Sequence, residues 1–272
     1  MARPTIWAAI LRLCLPLLGL VALGPSPSRA QSEEPGCRPE MASLRLPIHR
    51  ANLAKGEARL TFVGHATFLI ETPGGVKVAT DYNDYVRPPV TPDIATMNKA
   101  HSTHNSSRPD PAIKQLLPGW DPTGKGAAKH DVTLGDVRVR NVPTNIRSYS
   151  GGTDYDGNSM FVFEIGDLCI AHLGHLHHPL EPGHLRALGR VDVVLFPVDG
   201  SYTLDQEGML EVLKAIQARV MIPMHFFGGS TLNRFLSRTE GLWPVERRDS
   251  PVITLSKATL PATPTMIVLP GH

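Results

Sequence analysis

From Ala58 onward the chain alternates short apolar runs with glycine, proline and aspartate, the punctuation of strands and turns. Ala58–Val63, Phe68–Glu71 and Val76–Thr80 read as strands, the last two joined through Pro73-Gly74-Gly75, and 93–97 reads as a further short one. A short helix is predicted over Asp110–Leu117. Gly135-Asp136 separates Val132–Leu134 from Val137–Val142, and Gly166-Asp167 separates Met160–Ile165 from Leu168–Ala171, so each reads as a hairpin. Beyond these the period changes. Pro182–Leu188 reads as a short helix, and Val191–Val198 is apolar throughout, as in a strand buried on both faces. Leu204–Ala218 then places Met209, Leu210, Leu213 and Ile216 on one helical face, followed by a second buried strand at Val220–Met224. Val252–Leu255 and Met266–Leu269 are available to close the sheets. Hairpins followed by strand–helix–strand units predict an α/β sandwich, two sheets covered by outer helices.

The first thirty residues follow a different pattern. Arg3 and Arg12 precede the apolar run Leu13–Gly24, and Ser28-Arg29-Ala30 offers the small residues of a cleavage site. The run contains Pro16 and falls short of the ~20 apolar residues a membrane helix needs. A secretory leader over 1–30 is therefore expected, with a periplasmic or secreted product and no stable membrane anchor. An irregular arm over 31–55 and one domain over 56–272 follow. The leader carries three arginines and no acid, so without it the 27 basic and 25 acidic residues come close to balance. That near-neutrality gives no support for a nucleic-acid partner. Of the three cysteines, Cys14 belongs to the leader, and nothing in the spacing pairs Cys37 with Cys169.

Candidate chemistry lies in the histidines. Seven of the twelve fall in three places: His101 and His104; His172, His175, His177 and His178; and His225. Taken singly, a histidine is more often a surface or core residue with one satisfied hydrogen bond. Here each group directly follows an apolar strand-like run. Imidazoles delivered from successive strand ends to one rim of a sheet build a transition-metal site from distant sequence.

The stretch 63–72, Val-Gly-His-Ala-Thr-Phe-Leu-Ile-Glu-Thr, with Asp81 after the next strand, resembles the opening of the metallo-β-lactamase fold. The nearest branch is that of the UlaG-like and RomA-like metal-dependent hydrolases. The block 171–200 and Ile222-Pro223-Met224-His225-Phe226 match later motifs of that branch, so the resemblance runs from about Leu60 to Phe227. It implies an αββα sandwich and a small-molecule substrate. The metal motifs depart from the family pattern. H-x-H-x-D-H falls on Lys99, His101, Thr103 and His104; the mid-chain histidine corresponds to Asn145, the bridging aspartate to His175, and the last ligand to His225. In dinuclear members one metal takes H-x-H and the mid-chain histidine. Carried over, that site keeps only His101, and an ammonium at Lys99 repels a dication. The second metal site becomes a histidine set of His104, His175 and His225, with His101 beside it. Neutral nitrogens around an open position describe one divalent transition metal, Zn²⁺ foremost. His65, Asp81, Asn145, His172 and His178 are then expected around the ligands, holding them in place.

Two functions follow. One is an exported, mononuclear metal-dependent hydrolase of an ester, lactone or phosphodiester, in which the metal lowers the pKa of bound water toward ~7. Lys99 would stabilise an oxyanion, with His101 and Thr103 completing the catalytic set. The alternative is a metal- or ligand-binding descendant of the same fold without catalysis, as the changes at Lys99 and Thr103 would allow. The gain of His175 and His177 favours a remodelled site over an abandoned one.

Overall fold

The computed structural model describes residues 53–271. The leader 1–30 and nearly all of the arm 31–55, with Cys37, lie outside the described residues. Fourteen strands form two sheets. The first runs in the order β13-β1-β2-β3-β4-β5, from β1 (Glu57–Gly64), β2 (Thr67–Glu71), β3 (Lys77–Ala79), β4 (Ile94–Met97), β5 (Gln115–Pro118) and β13 (Val252–Ser256). The second has the order β12-β14-β11-β10-β9-β8-β7-β6. It comprises β6 (Asp131–Leu134), β7 (Val137–Arg147), β8 (Thr153–Ile165), β9 (Leu168–His172), β10 (Val193–Pro197), β11 (Val220–Met224), β12 (Val245–Arg247) and β14 (Thr265–Val268).

Alternation along β10 shows how the layers form. Val193 and Leu195 join Phe62, Phe68, Phe161 and Ile222 in the core between the sheets; Val194 and Phe196 join the outer core. That outer core is completed by α1 (Pro182–Leu188), α2 (Gln206–Ile216) and α3 (Gly229–Arg238), through Leu188, Met209, Leu213, Leu232 and Phe235. Each fully buried Phe or Leu contributes about 1.5–3 kcal/mol by leaving water, which makes the double-faced strands the rigid part of the scaffold. The outer face of the first sheet carries Ala79, Tyr82, Ala95 and Met97 beneath Ile113 and Trp120.

The helix expected over Asp110–Leu117 is not formed. Pro111 follows Asp110, whose carboxylate accepts the Ala112 N–H in a tight turn, and Gln115–Pro118 pairs in parallel with β4. Burying Leu117 against the sheet outweighs the weak helical pattern. Conversely, α3 starts at Gly229 behind Gly228, which carries no side chain to cap a helix. It forms because Leu232, Phe235 and Leu236 pack on the outer core. Cys169 is a free, half-buried thiol that accepts from the Arg190 guanidinium.

Strand direction positions the chemistry. β9, β10 and β11 are mutually parallel, as are β3, β4 and β5 in the other sheet. The loops leaving β9, β10 and β11 therefore emerge at one rim, where open α/β sheets bind ligands. They carry His175, Asp199 and His225.

Candidate metal centre

Four imidazoles meet at the rim. His101, His104, His175 and His225 place one ring nitrogen each within 4.8 Å of all the others. The loop after β4 is pinned by its own backbone: Asn98 N–H donates to His104 O, and His104 N–H to His101 O. His225, directly after β11, has φ +57°, and its N–H donates to the carbonyl of His65, itself at φ +51°. Asp81, after β3, has φ +42°. Among the described residues, three of the five non-glycine positions in the left-handed region thus belong to this site. Strain of that kind costs on the order of 1–3 kcal/mol each and persists only where the surrounding structure over-determines it.

Each ring has a partner behind it. The Asp81 carboxylate lies 2.6 Å from His104 Nδ1 and is itself held by Asn98 Nδ2 at 2.9 Å. The Asp199 carboxylate lies 3.0 Å from His225 Nδ1, in a contact bent off the ideal hydrogen-bond line. Thr103 Oγ1 lies 3.1 Å from His101 Nδ1, and His177 Nε2 lies 2.6 Å from His175 Nδ1. With protons on the Nδ1 atoms that face the two carboxylates, both Nε2 atoms would present lone pairs. Those two atoms stand 3.0 Å apart and fully buried. Two acceptors facing each other without a cation repel; a cation between them removes the conflict. His101 Nε2 and His175 Nε2 are likewise buried without a protein partner. Nitrogens around zinc, at about 2.0–2.1 Å from the ion, lie roughly 3.3 Å from one another. The donor set fits a divalent metal.

The electrostatics agree. Burial, then the charge of His225, holds His104 well below the ordinary histidine value; burial, then His104, does the same for His175. Burial lowers His101 and His172, and lowers His65 to about 3. These shifts favour neutral imidazoles at His101, His104 and His175, the form a metal binds. Burial pushes Asp81 up to about 6 against the pull of His172 and Asn98. Burial also pushes Asp199 upward, but the hydrogen bonds it accepts, with the His225 charge, win and hold it well below the usual carboxylate range. Among its donors are Thr203 Oγ1 and the N–H groups of Ser201 and Tyr202.

Beside the centre opens a cavity of about 380 Å³, lined by His101, His175, His177, Arg147, Tyr149 and Tyr202 among others. The exposed Phe227 packs edge-on against the lining residue Tyr202, their centroids 5.6 Å apart.

The β-lactamase superfamily domain profile matches residues 59–225 of the chain. The chain belongs to that superfamily. Its similarity extends to a UPF0173 metal-dependent hydrolase of Thermoplasma acidophilum, 37% identical over 92 residues, 33% of this chain and only 40% of that relative's length. A UPF0173 protein of Pyrococcus abyssi is 24% identical over 65% of this chain and 88% of its own. Among solved structures, a Thermotoga maritima protein assigned as a Zn-dependent hydrolase of the metallo-β-lactamase superfamily superposes with a TM-score of 0.59. It is 27% identical and covers 79% of this chain and 100% of its own. The superfamily member described here is thus similar to metal-dependent hydrolases, with a mixed α/β architecture of two sheets and a histidine cluster able to bind a metal.

The remaining expected residues of this β-lactamase-superfamily chain divide. His65 lies against His225, ring centroids 4.1 Å apart, with Nε2 unpartnered. His172 Nε2 donates to Ala66 O and its Nδ1 accepts from Gly174 N, tying β9 to the β1–β2 turn. His178 donates through Nδ1 to Pro179 O and accepts the Asn145 N–H, while Asn145 Oδ1 accepts from Asp156 N. His178 and Asn145 therefore shape the neighbouring loop. The Lys99 ammonium pairs with Asp154 at 2.7 Å, half-exposed, and Lys99 is not among the residues that line the cavity. Thr103 places its hydroxyl beside His101 Nδ1. Sequence reasoning gave no site role to Asp199 or Asn98, and read Asn158 only as a turn residue. Asn158 Oδ1 accepts the His175 N–H, and Gly119 and Gly174 press on Asn98 so closely that an added Cβ would collide with it. The one available signal was Asp199, an acid directly after a buried strand at the same rim as His225.

Proposed function

We propose that this protein is an exported hydrolase that holds one divalent metal, zinc foremost, and cleaves an ester, lactone or phosphodiester bond of a small molecule. The observation that carries the reading is the pair of buried Nε2 atoms of His104 and His225, 3.0 Å apart, each ring with a carboxylate beside its Nδ1. His104 and His225 would hold the ion together with His101, and His175 faces the same point. When bound, the metal supplies Lewis acidity toward a carbonyl or phosphoryl oxygen and acidifies water. The chain does the rest. Asp81 and Asp199 keep the rings turned inward, and the adjacent cavity is of a size suited to a small molecule. Tyr202, packed against Phe227, lines one wall of it. A single ion is supported by the placement of Lys99 and Asn145, which occupy the family's other ligand positions yet bond elsewhere. Export rests on the leader pattern at 1–30.

Metal analysis of the purified chain, followed by assays with nitrophenyl ester, lactone and bis-nitrophenyl phosphate substrates with and without chelator, tests the reading. Chelator-sensitive turnover of at least one substrate is expected. Bound metal with no turnover of any would favour the non-catalytic alternative, and absence of metal under replete conditions would overturn both. N-terminal sequencing of the exported product should begin at Gln31.

A further inference from the structure

The four converging imidazoles are not equivalent, because the groups behind them differ in kind. Behind His104 and His225 stand carboxylates, which can only accept a proton. Behind His175 stands another histidine, and its protonation is set from further out. His177 Nδ1 accepts two hydrogen bonds from Arg147, the backbone N–H at 2.7 Å and Nε at 3.1 Å. Arg147 cannot turn away easily, since its Nη2 donates to the carbonyls of Ser201, Tyr202 and Thr203 at 2.8–3.0 Å. A ring nitrogen that accepts carries no proton, so the His177 proton sits on Nε2. That atom lies 2.6 Å from His175 Nδ1, which must therefore accept, leaving the His175 proton on its own Nε2.

We propose that His175 faces the centre with an N–H rather than a lone pair. It acts as a hydrogen-bond donor to an oxygen of the substrate, while His101, His104 and His225 hold the metal. His177 and Arg147 are positioning residues that fix this tautomer. His175 Nε2 is buried without a protein partner, and His175 is among the residues lining the cavity that an entering carbonyl or phosphoryl oxygen would occupy. The N–H takes the oxyanion-stabilising role expected of Lys99, which is paired with Asp154. The proposal rests on the metal-centre reading for its chemistry, but the tautomer itself can be read without any metal.

Long-range ¹H–¹⁵N spectra of the metal-free full chain, with histidines assigned by single substitution, give the direct test. His175 should appear protonated at Nε2, and His104 and His225 at Nδ1; His175 protonated at Nδ1 would overturn the proposal. Titration with Zn²⁺ supplies the second readout. His175→Gln should keep one equivalent with affinity within about tenfold of the parent, whereas His177→Glu, which offers an acceptor, should turn the His175 lone pair inward and tighten binding by roughly 10–100-fold. His177→Gln, which can still donate to His175, should keep the parental tautomer. Loss of zinc in a folded His175→Gln variant, or no tightening in a folded His177→Glu variant, would contradict the assignment. A parent chain that binds no zinc would overturn the metal-centre reading instead, and the metal-free spectra would still decide the tautomer.

Discussion

The positions that correspond to the family's two metal sites have opposite physical character in this chain. On one side His104 and His225 are fully buried, each with a carboxylate against Nδ1, and Asn98 holds the first of those carboxylates in turn. On the other, Lys99 reaches out to Asp154 at a half-exposed ion pair, and Asn145 spends its side chain on the Asp156 backbone. A metal site is therefore defined less by the number of imidazoles than by what stands behind each ring. A buried carboxylate sets the tautomer and supplies charge; an exposed ion pair does neither.

The largest break in this comparison should come from the buried side. Replacing His104 or His225 by Ala should abolish stoichiometric zinc binding, as read by isothermal titration; retained binding in both would dissolve the contrast. Asp199→Asn or Asp81→Asn should weaken zinc by roughly 10–100-fold while leaving the fold intact by circular dichroism, since only the partners of the ligating rings change. Equal affinity in both variants would show that the carboxylates do not orient the rings.

Acid should expose the same burial. In the metal-free chain His65 titrates near 3 and His177 near 4, against the ordinary 6.5, chiefly because of burial. Between those values the unfolded chain binds more protons than the folded one, so stability falls as pH drops from about 6.5. Asp81, raised to about 6, works in the opposite direction below that pH, but as one group against several histidines. The urea midpoint of metal-free protein should fall between pH 7 and pH 5; a midpoint that is flat or rises would contradict the burial of the cluster. The smallest effect belongs to Lys99. Its partly exposed pair is worth about 0.2–1 kcal/mol at most, so Lys99→Met should leave zinc affinity unchanged and shift the urea midpoint only slightly.

Much of this was legible in the sequence where the signal was periodic or adjacent. Pro182–Leu188 and Val220–Met224 form as the apolar pattern implies, because a strand buried on both faces and a proline-started helix announce themselves locally. The histidines were legible because each cluster directly follows a strand. Their partners were harder to see. Asp199 and Asn98 sit in loops with no period, and their roles depend on residues brought close only by the parallel strands of two sheets. The direction of Lys99 depends on Asp154, 55 positions away, which no local pattern encodes. The strand at Gln115–Pro118 was misread because its pairing with β4 depends on the finished sheet.

Native mass spectrometry of the zinc-reconstituted chain, compared directly with Asp199→Asn, tests the central claim most directly. One zinc ion per parent chain, with reduced occupancy in the variant at equal zinc concentration, is the predicted result. No zinc or two zinc ions on the parent chain would contradict a single ion held on the carboxylate-backed side.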